Sequence, residues 1–462
     1  MTPSPRHTES SGSLLWIKDP DGIHTSDPYG VDASRGLVVD TEAGVITELV
    51  GAGQEPSRYD VSLAAGGSVL LPGLVNTHHH FYQTLTRAWA PVADAELFPW
   101  LVGLYPVWAR LTPQALESAV TVAVAELLLS GCTTAADHHY LFPDGLEEAV
   151  DIEVDVVRRL GSRALLTRGS MSLGEKDGGL PPQSTVQDHD TILEDSQRVA
   201  ERYHERGEDA HIRIGLAPCS PFSVTRELMR DSALLAEELD VRLHTHLAET
   251  IDEEDFCRER FGLRTVDYLE SVGWLSDRTW LGHGIHLDDG EVARLGAAGT
   301  GVAHCPTSNM RLGSGTCRVL DLEEAGAPVG LGVDGSASND GSNMIEEVRA
   351  AMNLQRLARG PANVPVRRAL DWGTRGSAAV LGWDSIGVLR PGAQADLALY
   401  RRDELRFAGS HDPVASLVLC GAHQADRVMV GGTWVVEDGA VVGLDLERVL
   451  ATQREEAARL MG

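Results

Sequence analysis

LPGLVNTHHHFYQTL, residues 71–85, joins a short apolar run to three consecutive histidines, His78, His79 and His80. An apolar run that stops abruptly at polar, reactive side chains has the form of a parallel-barrel strand, because such barrels carry their chemistry at the C-terminal strand ends. Seven more runs of this form follow: TTAAD ending at Asp137, RALLTR at Arg168, IRIGLA at Ala217, VRLHTH at His246, TWLGH at His283, GTGVAH at His304 and VGLGVD at Asp334. Helical patterns lie between most of them. In TPQALESAVTVAVAELLLSG, Thr112 is placed to cap the helix, Pro113 sits at the first helical position and Gly131 at the stop. Eight strands alternating with helices predict an α/β chain folded as a (β/α)8 TIM-type barrel. An open doubly wound sheet would more often place a glycine-rich phosphate loop after its first strand, where this chain has histidines.

The barrel pattern occupies residues 71–384. On either side, residues 12–70 and 385–445 change to short alternating runs such as GVITELV and DRVMVGGTWVV, divided by Gly, Asp and Pro turns. Neither flank is long enough to make a core alone, so the two are expected to pair into one small β-sandwich domain built from both chain ends. Residues 446–462, LERVLATQREEAARLMG, read as a C-terminal helix, and residues 1–11, rich in Ser, Pro and Thr, as a disordered tail.

A chain of 462 residues can bury a sizeable core, and its net charge of -29 repels phosphate backbones and anionic lipid. Neither nucleic acid nor membrane is therefore an expected partner. The cysteines at 132, 219, 257, 305, 317 and 420 show no paired spacing, which reads as reduced thiols. The N-terminus has no apolar signal region and no later stretch offers 18 uncharged apolar residues, so a cytoplasmic location is expected.

Residues i and i+2 of a strand face the same side, so His78 and His80 can converge on one metal ion while His79 points away into the packing. Taken alone this spacing is weak, and an isolated pair such as His244 and His246 reads more readily as satisfied core histidines. The argument strengthens because His246 ends the fifth strand and Asp334 the eighth. Three imidazoles and one carboxylate suit a single Zn2+ or Fe2+ with a position left for water. A bridging lysine at the end of the fourth strand, which a second metal would need, is absent from IGLAPCS, so one divalent metal per chain is expected. Glu249 lies three residues past His246, beside that water. His283 ends the sixth strand, placed to hold or deprotonate the water together with Asp334.

LPGLVNTHHH, HTHLAET, LGHGIHL, AHCPTSNM and LGVDGSASND resemble, in order and over most of the chain, the amidohydrolase superfamily in its branch of mononuclear aromatic deaminases and triazine hydrolases. The resemblance implies that His78, His80, His246 and Asp334 ligate the metal, that Glu249 shuttles a proton and that His283 assists the attacking water. NTHHHFYQTLTRA, LFPWLVGLYPVW, RGSMSLGEKDGGLPPQS and LAPCSPFSVT are most similar to the deaminases of 8-oxoguanine, which implies hydrolysis of an exocyclic amine to urate and ammonia. The same centre would serve isocytosine, guanine or triazine substrates. A metal-free assembly protein on this fold should have lost ligands, and none is missing.

The segment between Phe81 and Trp108 is dense in aromatic residues and can close over a flat ring; Trp100 is singled out within it. Gln83, three residues past His80, offers an amide donor and acceptor to a purine edge, and related guanine-type deaminases use a glutamine at the matching position. His138, His139, His304 and Cys219 are further strand-end candidates for supporting or substrate contacts. The glycine-rich stretch GSMSLGEKDGGLPP is expected to form a second lid. The partners implied are a small aromatic base and water, in a homo-oligomer.

Overall fold

The computed structural model describes residues 13–462, so the expected tail lies outside the described residues. Eight parallel strands, paired in chain order, form the central sheet. They are β1 (Leu74–Asn76), β2 (Cys132–His139), β3 (Arg163–Ser170), β4 (Ile212–Pro218), β5 (Arg242–Leu247), β6 (Thr279–His283), β7 (Gly301–His304) and β8 (Val329–Leu331). Hydrogen bonds from the Thr77 amide to the Leu331 carbonyl (2.9 Å) and from the Asp334 amide to the His78 carbonyl (3.0 Å) close β8 onto β1. The result is the expected TIM-type barrel.

The ladder is shorter than the apolar runs suggest at two decisive places. β1 stops at Asn76, yet the chain continues extended, held by the His138 amide on the His79 carbonyl (2.8 Å), so the alternation of His78, His79 and His80 survives beyond the strand. β8 stops at Leu331, and Asp334 lies past it with φ of 64°. The helix over Pro113–Leu129 forms as its signals predict: the Thr112 side chain accepts from the Ala115 amide, proline opens the first turn, and Gly131 leaves with φ of 86°.

The flanks build two sheets. Leu14–Lys18, Gly36–Asp40, Val45–Leu49 and Val61–Ala64 make one, entirely from the N-terminal side. In the other, Ser68–Pro72 pairs antiparallel with Leu397–Arg401 and so joins the chain's two ends. Ile17, Leu37, Ile46, Leu70, Leu397 and Met429 form a shared core between the sheets. A Gly431-Gly432 hairpin, both residues at positive φ, turns Arg427–Val430 into Thr433–Glu437. The barrel is tied to this layer by a buried ion pair, Arg163 Nε to Asp396 Oδ2 at 2.8 Å, in which Gln394 and the Gly431 amide fill the remaining valences.

The helix Leu446–Met461 packs on Pro113–Leu129, and the backbone carbonyl of Leu460 accepts from Arg110. All six cysteines are free. No helix among the described residues is long and apolar enough to cross a membrane.

Candidate active site

At the barrel mouth the Nε2 atoms of His78 and His80 lie 3.4 and 3.3 Å from Asp334 Oδ1, and His80 Nε2 lies 3.1 Å from His246 Nε2. The protonation of each ring follows from what its other nitrogen touches. His80 Nδ1 faces the His138 carbonyl at 2.8 Å and His246 Nδ1 the Cys219 carbonyl at 2.7 Å; a carbonyl only accepts, so both Nδ1 atoms carry the proton. His244 Nδ1 donates to the Trp280 carbonyl (2.9 Å), so its Nε2 must accept from His78 Nδ1 (2.8 Å). The proton sits on Nδ1 in all three rings, so the Nε2 atoms of His78, His80 and His246 are the ones turned toward the mouth.

Burial holds His78 and His246 well below the usual imidazole range, and so neutral. Burial works against the Asp334 charge, but the facing His78 and His80 outweigh it and keep the carboxyl well below its usual range. Two Nε2 atoms meeting at 3.1 Å, together with the unpartnered His78 Nε2 and the Asp334 carboxylate, are a donor set that fits a cation. Nitrogen and oxygen ligands around tetrahedral zinc are spaced by about 3.3 Å, so the separations seen here fit.

Glu249 and His283 stand on the open side. His283 Nδ1 donates to Asn309 Oδ1 (3.0 Å), which turns Nε2 toward Glu249 Oε2 at 3.4 Å and Asp334 Oδ2 at 3.8 Å. Burial raises the Glu249 carboxyl above its ordinary range. Burial opposes protonation of His283, but the two carboxylates prevail and raise it. The pair is thus set to hold a proton between its members.

Three non-glycine residues at strand ends lie in the left-handed region: Ala248 (φ 55°), His283 (φ 73°) and Asp334 (φ 64°). Each such residue costs roughly 1–3 kcal/mol and persists only where its surroundings impose it. Glu253 imposes one of them, its carboxylate accepting from the Ala248 amide (3.1 Å) and the Glu249 amide (2.9 Å).

A narrow cavity opens on this group. Gln83 lines it, with its carbonyl accepting from the Ala337 amide at 3.2 Å and its NH2 left as the donor it can offer. Gly335 makes room for it, since a Cβ there would fall 1.9 Å from Gln83 Oε1. Trp100 also lines the cavity, but its indole donates to the Ala337 carbonyl (3.3 Å), so it serves as wall. Cys219 lines it too.

The remaining expectations divide by strand face. His138 points inward, grouped with His78, His80 and His246, and stacks on the His246 ring at 4.7 Å. His139 points outward to Glu153, away from the cavity, and His304 lies buried with its Nε2 3.4 Å from Gln355. His79 does turn away from the metal group, but it does more than pack: its Nδ1 accepts from the His80 amide (2.8 Å) and its Nε2 reaches Ser342 Oγ (2.9 Å). No residue of the glycine-rich stretch lines the cavity, and the Ser172 and Leu173 amides hydrogen-bond to the Ser223 carbonyl. Sequence reasoning missed His244, Glu253 and Asn309. His244 was readable as the i−2 neighbour of His246 on the same strand face, whereas the other two carry no local signal.

Fold and mouth together define a metal-type hydrolase barrel, and the chain belongs to the amidohydrolase family, whose model matches residues 69–435. It is 65% identical to an 8-oxoguanine deaminase of Pseudomonas aeruginosa over 97% of this chain and 99% of that one. An isoxanthopterin deaminase from an unknown prokaryotic organism is 34% identical, with 88% of each chain covered. Among solved structures, an atrazine chlorohydrolase of Arthrobacter aurescens TC1 complexed with zinc superposes with a TM-score of 0.89 at 30% identity, over 96% of this chain and 99% of that one.

Proposed function

We propose that this chain is a zinc-dependent 8-oxoguanine deaminase, converting the base and water to urate and ammonia. The likeness to the Pseudomonas aeruginosa enzyme supports the substrate. The observation that carries the chemistry is the meeting of His78 and His80 Nε2 at Asp334 Oδ1, with His246 Nε2 joining at His80. His78, His80, His246 and Asp334 would hold one divalent ion, which when bound supplies an acidified water as nucleophile near neutral pH.

The chain's own groups do the rest. Gln83 donates to the pyrimidinone edge and fixes the ring with its amine-bearing carbon toward the mouth. Glu249, whose carboxyl burial raises above its ordinary range, gives its proton to the ring nitrogen beside that carbon as water oxygen adds. His283 and the Asp334 carboxylate accept the proton the water releases. A proton then passes through Glu249 to the amine, the C–N bond breaks, ammonia leaves and the carbonyl forms.

Ammonia release measured across 8-oxoguanine, guanine, isocytosine and aminotriazines tests the reading, alongside metal analysis. The expected result is a preference for 8-oxoguanine and about one zinc per chain. Metal-free protein with activity undiminished by chelator would overturn the mechanism, and preference for a triazine would overturn the substrate.

A further inference from the structure

The cavity wall can be sorted by which polar groups are already spent. The Gln83 carbonyl and the Trp100 indole are engaged with Ala337, and Ser338 Oγ donates within its own turn to the Gly335 carbonyl. The metal group, Glu249 and His283 belong to the chemistry. Leu97, Leu101, Phe222 and Leu312 are apolar. What remains is a wall of two tyrosines, Tyr105 and Tyr140, beside Cys219.

The Tyr105 hydroxyl is buried, in a side chain only 1% exposed, and has no hydrogen-bond partner in the protein. An unpaired phenol in such a place is costly, so buried tyrosines nearly always find a partner. Tyr140 sits nearer the chemistry, its ring edge-on to His80 at 5.2 Å, whereas Tyr105 packs against Trp108 at 6.0 Å on the helix Leu97–Trp108. Burial, followed by the mutual influence of Tyr82, Tyr105 and Cys219, pushes the Tyr105 phenol up, so it stays a neutral hydroxyl able to donate and accept.

We propose that Tyr105, with Tyr140 beside it, is the specificity-determining contact for the imidazolone edge of the substrate, donating to the C8 carbonyl oxygen or accepting from the adjacent ring N–H. This rests on the function proposed above. With the amine-bearing carbon of the pyrimidinone ring at the metal, the fused five-membered ring extends toward the wall where the Tyr105 hydroxyl is unspent and Tyr140 stands beside it. Isocytosine carries the same pyrimidinone edge and lacks the second ring, so it cannot reach them.

The test is kcat/KM for 8-oxoguanine in the zinc-loaded parent and in Tyr105→Phe, with isocytosine followed as substrate or as competitive inhibitor of 8-oxoguanine turnover. Loss of one neutral hydrogen bond is expected to lower the preference for 8-oxoguanine over isocytosine about tenfold, mainly through KM. Tyr140→Phe should shift the same ratio in the same direction. Equal losses on both bases, or none on either, in a variant with parental metal content and thermal midpoint would overturn the inference. A parent that releases no ammonia from 8-oxoguanine would instead overturn the function on which it rests.

Discussion

The barrel carries buried histidine and carboxylate on two sides of its wall: at the mouth His78, His80, His138 and His246 together, with His283 and Asp334 also meeting His78, and behind β2 Asp137, His139 and Glu153. Both draw residues two apart in an extended chain, and both pass a simple proximity test for a metal site. They differ in where the protons are. At the mouth the outer nitrogens carry protons given to carbonyls or to His244, and what meets there is the three Nε2 atoms and one carboxylate. Behind β2, His139 Nε2 donates to the Leu141 carbonyl (2.6 Å), so its bare Nδ1 faces Glu153 Oε1 at 3.0 Å. Burial pushes Glu153 up to about 8, and a protonated Glu153 is the donor that this nitrogen requires. The outer cluster faces a nitrogen with a carboxyl able to carry the proton it needs, while the inner one turns its nitrogens and a carboxylate toward one another with a cavity beside them.

Substitution at each cluster should separate them most sharply in metal content. His80→Ala is expected to lose zinc and all measurable turnover, whereas His139→Ala should keep its zinc and lose thermal stability. Metal analysis and melting curves of the two variants read this directly, and zinc loss from His139→Ala would break the contrast. Next in size, Glu249→Gln should retain the metal but lose turnover by roughly 10²–10⁴-fold, the usual contribution of a positioned acid or base; near-normal ammonia release would remove Glu249 from proton transfer.

His244→Ala tests the tautomer chain, since only His244 obliges His78 Nδ1 to carry the proton. Zinc affinity, measured by competition with a chelator, is expected to fall about 10- to 100-fold, as for other groups that orient a ligand. The smallest effect belongs to the outer cluster. Glu153 rises from an ordinary 4.5 to about 8 in the folded protein, so between those values the folded state binds more protons than the unfolded one. Stability from this group is complete below about pH 4.5 and is lost as pH climbs toward 8. Glu153→Gln cannot ionise and keeps a donor for His139, so its thermal midpoint should drop less than the parent's between pH 5 and 8. Parallel curves would show that Glu153 is ionised in both states.

The alternation of His78, His79 and His80 was legible because an extended chain places every second side chain on one face, even though the hydrogen-bonded ladder stops at Asn76. Asp334 was legible as the end of an apolar run, but its left-handed backbone was not, since no glycine marks the position and two residues separate it from β8. His139 was read together with His138 as a strand-end candidate. One residue of register sends the two to opposite sides of the barrel wall.

Local pattern, then, determined by itself the strand count, the barrel, the cap at Thr112 and the residues that meet at the mouth, because strand period and helix signals act over a few neighbours. Which nitrogen of each histidine is bare was decided only in three dimensions. Those protons are set by the carbonyls of Cys219, His138 and Trp280 and by His244, each brought in from a neighbouring strand or an adjacent strand end. The same holds for the spent and unspent groups of the cavity wall: a tyrosine's partner, or its absence, is a property of packing between distant segments.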